Sequence, residues 1–315
     1  MERKVNLLSN KTYGKISTDK NIISVLAFLA IGVVIITKQH VFRDAMDASI
    51  KMCLSTIIPS IFPFMILSDY LVCNFTFHDN SAISKLFKRF FSVSSVGLLP
   101  FLIGNVCGFP LGAKMAAELF DEGYINQDEF DTLLPLCANP SIAFVISGVG
   151  IGMRGSIKEG IILYIITMIS TIISGIIWKS RVSASDFIGV SKYKAFSLSD
   201  TIKNSALSCI YVSSYIIFFS LVIAILCSLS IAKPVILLLA SFLEIGTATS
   251  LISKSNIGWI SLPLTAFSLT FSGVSVYMQT LCFVPKGRCK SYLKIKLTEG
   301  IIAFIITAIL SCFLA

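Results

Sequence analysis

Two glycine-bearing apolar stretches decide the fold: VGLLPFLIGNVCGFPLGAK at Val96–Lys114 and PVILLLASFLEIGTATSLIS at Pro234–Ser253. The first has two prolines and three glycines within residues 100–112, and the second has Glu244 and Gly246 in its middle. Because proline removes a backbone donor and glycine disfavours helix, neither stretch is expected to form one continuous helix. Broken backbone persists at membrane depth only where protein or a watery cavity satisfies its polar groups. Both stretches are therefore predicted to be re-entrant or broken helices that face an interior.

The composition places these stretches in a membrane protein. Of the 315 residues, 55% are hydrophobic and 14% are charged, whereas soluble domains carry about 25% charged residues. Apolar segments of sufficient length to span a bilayer lie at 22–37, 52–73, 131–153, 160–178, 205–229, 261–284 and 298–315. The sequence predicts an all-α integral membrane protein with about seven transmembrane helices plus the two re-entrant or broken helices.

The basic residues indicate a membrane orientation and argue against nucleic acid as a partner. The net charge is +9, but the lysines and arginines lie in short clusters between apolar segments, which is typical of anchoring to membrane lipid at the cytoplasmic leaflet. The clusters lie before residue 22 and at 85–89, 179–203 and 286–296. If the two broken stretches do not cross, these clusters share one side, which predicts a cytoplasmic N-terminus. The basic connection at 38–51 falls on the other side and is an exception.

The sequence contains no pattern for catalysis, metal binding or a cofactor. None of the nine cysteines forms a C-x-x-C pair, and the two histidines, His40 and His78, have no partner at ligand spacing. We interpret the cysteines as small buried hydrophobic residues. No Ser-His-Asp, Cys-His or paired-carboxylate arrangement falls in a plausible cavity. We therefore expect no enzyme, no metal site and no cofactor.

The chain is predicted to contain an internal repeat with inverted topology. Each half has the order span, broken stretch, span, span, and residues 54–68 resemble residues 207–221. Three spans per half after one extra helix place the second half upside down, an architecture found in secondary transporters. The predicted divisions are a cytoplasmic tail at 1–21, a first helix and connection at 22–44, a first repeat at 45–178, a basic cytoplasmic linker at 179–204 and an inverted repeat at 205–315.

The first broken stretch contains a cluster of polar residues and glycines that suits an anion. An unwound backbone followed by a helix start has free N–H groups and the positive end of a helix dipole. Lys114 either strengthens this field or extends to the cytoplasmic surface. The candidate substrate-binding residues here are Asn105, Gly108, Pro110, Gly112 and Lys114.

Further candidate residues lie in the second broken stretch and within two predicted spans. Glu244 is the only carboxylate that we place well inside an apolar segment, where a charge costs about 2.5–3.5 kcal/mol, so it needs a partner or a cavity. It is either a coupling group for a proton or ion, a hydrogen-bond anchor for the broken helix, or a carboxyl near the membrane surface. Small polar residues at equivalent positions of the two halves indicate either a shared central site or helix–helix contacts. These candidates are Asn139, Ser141, Glu244, Gly246, Thr247, Ser272, Gly273, Ser275 and Gln279.

Three stretches resemble a known family: GNVCGFPLGAKMAAELFDEGYIN at 104–126, LCANPSIAFVISGVGIGM at 136–153 and TFSGVSVYMQ at 270–279. They are similar to the YlbJ-type sporulation integral membrane proteins. That family belongs to the wider Gate, or nucleoside-recognition, superfamily, with concentrative nucleoside transporters and the membrane part of ferrous-iron transporters. The resemblance implies a transporter-like protein of the bacterial cell membrane or the outer forespore membrane. It also implies a role in spore maturation, with dipicolinic acid as the substrate.

These observations favour a permease for a small organic anion, with its site between the two broken stretches. Two alternatives stay open: a non-transporting membrane scaffold required for sporulation, whose broken helices serve oligomer packing, and a nucleoside-type transporter. The expected partners are a small anionic substrate and membrane lipid. A homo-oligomer is left open.

Overall fold

Helices make up the regular structure of this chain. The computed structural model describes residues 32–33, 36–74, 82–179, 197–282, 284 and 290–314. Within them every regular element is a helix, which confirms the all-α class. The chain divides into two compact units, one ending at Asp44 and one beginning at Ala45. The predicted tail at 1–21, most of the first predicted span and most of the predicted linker lie outside the described residues.

The described part of the chain contains thirteen α-helices, two π-helices and two 3-10 helices. The α-helices are α1 Gln39–Met52, α2 Ile58–Asn74, α3 Ala82–Phe91, α4 Leu98–Cys107, α5 Phe109–Asp121, α6 Gln127–Leu136, α7 Ile157–Ile177, α8 Leu198–Ser228, α9 Lys233–Leu243, α10 Ile245–Ser253, α11 Ser261–Phe271, α12 Gly273–Leu281 and α13 Tyr292–Leu314. The π-helices are Cys53–Ile57 and Phe144–Met153, and the 3-10 helices are Ser95–Gly97 and Gly258–Ile260. Most of these helices are too short to cross a bilayer alone, so consecutive helices must combine or end inside it.

Within the described residues, five apolar segments are long enough to cross a membrane. They are Gln39–Leu67, Ile157–Ile177, Leu198–Ser228, Gly258–Leu281 and Tyr292–Phe313. A sixth candidate combines Ala82–Phe91 with Ser95–Cys107, which are bent by 98° relative to each other. Large apolar side chains such as Ile172, Phe218 and Ile309 are exposed on three of these spans, as expected of surfaces that contact lipid. The predicted number of about seven spans stays a prediction.

Three predictions about individual segments were wrong. The predicted span at 131–153 is not continuous, because α6 and the π-helix Phe144–Met153 are separate helices. Pro140 explains the interruption, since proline cannot donate to the helix and keeps the preceding residue out of helical geometry. The predicted connection at 38–51 lies almost wholly within α1, and the basic connection at 286–296 extends into α13.

The first broken stretch is a helical hairpin, with Gly108 at its tip between α4 and α5. Gly108 has a φ of 107°, which favours glycine. Gly104 and Gly112 bring the two helices into backbone contact. A Cβ on Gly112 would lie 2.9 Å from the Gly104 amide nitrogen and 2.6 Å from the Cys137 carbonyl oxygen. The predicted break is confirmed, and these glycines set the spacing of the first hairpin (α4–Gly108–α5).

The second broken stretch is interrupted at Glu244, between α9 and α10. The Glu244 backbone is extended, with φ −153° and ψ 129°. Its carboxylate accepts hydrogen bonds from the Gly246 and Thr247 amides at the start of α10. A side-chain oxygen at a helix N-terminus satisfies free N–H groups, and a negative charge there interacts favourably with the helix dipole. This predicted break is also confirmed, and a capping carboxylate accompanies it in place of a proline–glycine cluster.

Two further helices are interrupted in the interior. The first interrupted helix consists of α6, residues 137–141 and the π-helix Phe144–Met153. The second consists of α11, Ser272 and α12, with Ser272 in the left-handed region at φ 70°. Each half of the chain therefore contains one broken stretch followed by one interrupted helix. The inverted relation between the halves stays a prediction.

Candidate functional site

The broken stretches pack on the interrupted helices in the interior. A Cβ on Gly108 would lie 3.2 Å from the Ser141 Cβ, so the tip of the first hairpin contacts the first interrupted helix. A Cβ on Gly273 would lie 2.9 Å from the Leu243 carbonyl oxygen, so the second interrupted helix contacts the second broken stretch. In both halves the break in the broken stretch therefore contacts the break in the interrupted helix.

These breaks surround a small pocket, which we call the break pocket. Five predicted site residues line it: Gly108, Pro110, Ser141, Glu244 and Gln279. The rest of its lining is apolar and includes Ile57, Val212 and Ile245. The space open to the centre of a water molecule is about 30 Å³. This is room for only two or three waters, since one water needs about 10–15 Å³ by this measure.

The starts of three helices line the break pocket. Gly108 and Pro110 are at the start of α5, Ser141 precedes the π-helix, and Glu244 directly precedes α10. Gln279 belongs to the last turn of α12, and Gly273, which begins that helix, does not line the pocket. Among the described residues, no C-terminal residue of α4, α6, α9 or α11 lines the pocket. Because each helix N-terminus is equivalent to roughly half a positive charge, the three starts create a positive potential.

One of the three helix starts is occupied by a carboxylate of the chain itself. Glu244 is only 3% exposed, and its two oxygens accept from the Gly246 amide at 2.8 Å and the Thr247 amide at 2.5 Å. The Thr247 hydroxyl lies 2.6 Å from the Ser220 hydroxyl, so it connects α10 to α8. This is the geometry of a hydrogen-bond anchor, one of the roles that the sequence left open for Glu244.

The start of α5, in contrast, has no capping side chain. Gly108 precedes it, and Pro110 in its first turn has no N–H to satisfy. At the π-helix, the Ser141 hydroxyl accepts from the Phe144 amide at 3.1 Å, which caps that helix with a neutral group. The tip of the first hairpin therefore presents backbone N–H groups without a negative charge of its own, an arrangement that binds anions.

Gln279 adds an amide group with an unpaired atom. It is 4% exposed, its Nε2 donates to the Ser275 hydroxyl at 3.0 Å, and its Oε1 has no hydrogen-bond partner. Because a serine hydroxyl both donates and accepts, the reversed amide orientation pairs equally well and leaves the NH₂ group free. An unpaired buried polar group is unfavourable, so Gln279 is suited to a ligand that enters the pocket.

Several predicted site residues lie outside the break pocket. Gly112 forms the backbone contact inside the first hairpin. Lys114 follows the tip by six residues, about 9 Å along α5, and lies 4.0 Å from Glu118 in a partly exposed ion pair. The Ser272 hydroxyl lies 3.3 Å from the Ala138 carbonyl oxygen, next to the other interrupted helix. The structure thus favours a surface position for Lys114 over one near a bound anion.

Asn105 and Asn139 belong to a buried polar network next to the pocket. The Asn139 Nδ2 donates to the Asn105 Oδ1 at 2.8 Å and to the Thr171 hydroxyl at 3.0 Å. The Asn139 Oδ1 accepts from the Lys296 Nζ at 2.8 Å, and the same Nζ donates to the Glu299 Oε2 at 2.8 Å. Lys296 and Glu299 have 0% exposed surface. The network joins the first hairpin, the first interrupted helix, α7 and α13.

The sequence reasoning missed the pair of Lys296 and Glu299. Glu299 shows that Glu244 is not the only carboxylate deep in an apolar helix, contrary to the prediction. The last span was predicted to begin at 298, whereas α13 begins at Tyr292. The signal that identifies the pair is its spacing, because residues three apart share one face of a helix.

The described residues contain no candidate metal centre. No group of three or more His, Cys, Asp or Glu side chains among them is arranged to hold a metal ion.

The fold and the apolar spans define an all-α integral membrane protein whose broken helices meet in its interior. Over 137 residues, the chain is 27% identical to the sporulation integral membrane protein YlbJ of Bacillus subtilis (strain 168). The match covers 43% of this chain and 34% of that protein, so it spans about a third of the relative's length. No family model and no solved structure matches the chain. The similarity supports the resemblance to a sporulation membrane protein, and membership of the Gate superfamily stays a prediction.

Proposed function

We propose that this chain is a membrane permease for a small organic anion, which binds in the break pocket. The observation that carries the proposal is the convergence of three helix starts on that pocket. Together they are equivalent to roughly one and a half positive charges, and the Glu244 carboxylate offsets about one of them. The remaining positive potential acts in a low-dielectric interior, where charges interact more strongly than in water. An anion is therefore the favoured occupant.

The lining supports an organic anion over a simple inorganic one. Ile57, Val212 and Ile245 offer apolar surface for a carbon skeleton. The Gln279 amide and the free N–H groups at the start of α5 offer hydrogen bonds for a carboxylate. Dipicolinic acid, the substrate that the family resemblance implies, has both an aromatic ring and two carboxylates.

Transport requires the pocket to enlarge, because its present space holds only two or three waters. The breaks are the natural places for this movement, since a helix that is already interrupted changes its angle without losing regular hydrogen bonds. We propose that the first hairpin and the second broken stretch move apart to admit the anion.

The membrane and orientation of the permease are also part of this proposal. The similarity to a sporulation membrane protein supports the cell membrane or the outer forespore membrane of a spore-forming bacterium. The basic clusters support a cytoplasmic N-terminus.

Transport of labelled dipicolinate into liposomes that contain the purified full chain tests the function. Wild-type liposomes are expected to accumulate the anion, and Gln279→Leu is expected to reduce the initial rate about tenfold, the effect of about one lost hydrogen bond to a charged group. Leucine has nearly the same size as glutamine, so the variant is expected to fold. Gln127→Leu, on the exposed start of α6, is the matched control and is expected to retain the wild-type rate.

The alternatives give different results in this assay. Uptake of a labelled nucleoside but not of dipicolinate by wild-type liposomes would contradict an anionic substrate and favour a nucleoside-type transporter. Wild-type liposomes that take up neither compound faster than empty liposomes would contradict transport and favour a scaffold.

A further inference from the structure

The buried pair of Lys296 and Glu299 is not used by the proposed binding site. Both residues lie on one face of α13 without exposed surface, and the Lys296 Nζ is 2.8 Å from the Glu299 Oε2. Ionised groups inside a membrane protein are strongly unfavourable unless paired, and they mark substrate, ion or proton pathways. The pair therefore needs a functional account.

Only one oxygen of the Glu299 carboxylate has hydrogen-bond partners. Its Oε2 accepts from Lys296 and lies 3.4 Å from the Thr171 hydroxyl, whereas its Oε1 is buried and has no hydrogen-bond partner. A charged oxygen without a donor is less favourable in a low-dielectric interior than a neutral hydroxyl at the same place. The Oε1 atom is therefore the position in the network where a proton relieves the largest electrostatic penalty.

Asn139 connects this pair to the break pocket. Its Oδ1 accepts from Lys296, and the next two residues, Pro140 and Ser141, line the pocket. Its Nδ2 donates to Asn105, which lies in the first hairpin three residues before the tip. A change in the charge of the pair therefore acts on two walls of the pocket through one side chain.

We propose that Glu299 is the proton-coupling site of this permease, an inference that rests on the proposed function. A proton from water on one side of the membrane binds to the Glu299 Oε1 and is released to water on the other side, and no other bond is made or broken. Protonation leaves Lys296 as an uncompensated positive charge beside Asn139. This charge favours an anion in the pocket, and by reciprocity a bound anion favours the proton.

Among the described residues, few other titratable groups face the pair from the helices packed on α13. Helix α11 has no titratable residue, and α7 faces the pair with Thr171. The segment after α6 faces it with Asn139 and the Cys137 thiol. The charged residues of α7 are Lys158 and Glu159 at its start, and those of α6 lie within its first five residues. Glu299 is thus the carboxylate whose protonation changes the charge at this position.

The test is transport by the full chain in liposomes with and without an inward proton gradient. A gradient of about one pH unit is expected to raise wild-type dipicolinate accumulation about tenfold for one proton per anion. Glu299→Gln is expected to show less than about twofold dependence on the same gradient, since its amide cannot take up a proton. Exchange of labelled for unlabelled anion at equal pH is expected to continue in this variant.

Two companion variants keep the test decisive. Glu122→Gln, an exposed residue just after α5, is expected to keep the wild-type gradient dependence. The double variant Lys296→Gln with Glu299→Gln removes both charges and leaves no buried counter-charge unpaired, so it is expected to fold even if the single variant does not. It is also expected to be independent of the gradient.

A measurement on the wild-type chain provides an independent check. Addition of dipicolinate to the protein in weakly buffered detergent solution is expected to take up about one proton per bound anion, the coupling that linkage requires. Binding without proton uptake, or either Glu299 variant retaining the gradient dependence, would overturn the coupling site. Wild-type transport without any gradient dependence would overturn this inference alone. A wild-type chain that neither binds nor transports the anion would overturn the proposed function.

Discussion

Replacing Lys296 with methionine is expected to destabilise the folded protein by about 3–5 kcal/mol, because Glu299 must then either stay buried as an unpaired carboxylate or take up a proton. This is a large fraction of a total folding free energy of about 5–15 kcal/mol. The substitution also removes the hydrogen bond from the Lys296 Nζ to the Asn139 Oδ1, which weakens the contact between α13 and the first interrupted helix. The expected result is a much lower melting temperature and a smaller monodisperse fraction of the purified protein in detergent.

Two variants separate the lost charge pair from other effects of the substitution. Lys294→Met, on the exposed face of the same helix, is expected to leave the melting temperature unchanged within error. Lys296→Met combined with Glu299→Leu removes both charges and is expected to recover most of the lost stability. If the single variant Lys296→Met were as stable as wild type, this would contradict a stabilising buried charge pair between Lys296 and Glu299.

Gly112→Leu is expected to have the second large effect, by forcing apart the helices of the first hairpin. Overpacking a core costs about 1–3 kcal/mol, and we expect the upper end because the atoms near an added Cβ are backbone atoms of Gly104 and Cys137. Backbone cannot move aside as a flexible side chain does. A lower melting temperature and loss of dipicolinate transport in liposomes are the expected readouts.

A glycine with more space around it provides the matched control for this substitution. A Cβ on Gly152 would have only the Ser147 carbonyl oxygen, at 3.3 Å, within 4 Å, and the residue is exposed. Gly152→Leu is therefore expected to change the melting temperature much less than Gly112→Leu. Equal melting temperatures for the two variants would show that the hairpin contact does not limit stability.

The breaks in the fold were predictable from sequence because local chemistry produces them. Gly108 adopts a positive φ that other residues disfavour, and glycines four positions away on both sides permit a close return of the chain. Glu244 was predictable for a different reason: a carboxylate inside an apolar segment needs a partner. The amides of Gly246 and Thr247, directly after it, are the nearest donors.

The buried pair was not predictable in the same way, because burial depends on residues distant in sequence. Lys296 and Glu299 stand where a basic connection meets an apolar segment, so composition alone places them near the surface. Their partners, Asn139 and Thr171, precede them by more than a hundred residues. The sequence left two positions open for Lys114, although its partner Glu118 is only one helical turn away. A surface ion pair has little effect on the fold, so it did not decide between the two positions.

The contact between Gly104 and Gly112 determines how the first hairpin is able to move. Beside this backbone contact, buried side chains of both legs form one cluster, which includes Ile103, Leu111 and Met115. The two legs therefore move together as one rigid unit. Displacement of the tip at Gly108 must then begin as a pivot at the base. Gly123, at φ 77° with no atom within 4 Å of an added Cβ, lies just beyond the base end of α5. A small rotation there is carried along the roughly 20 Å of α5 to the tip.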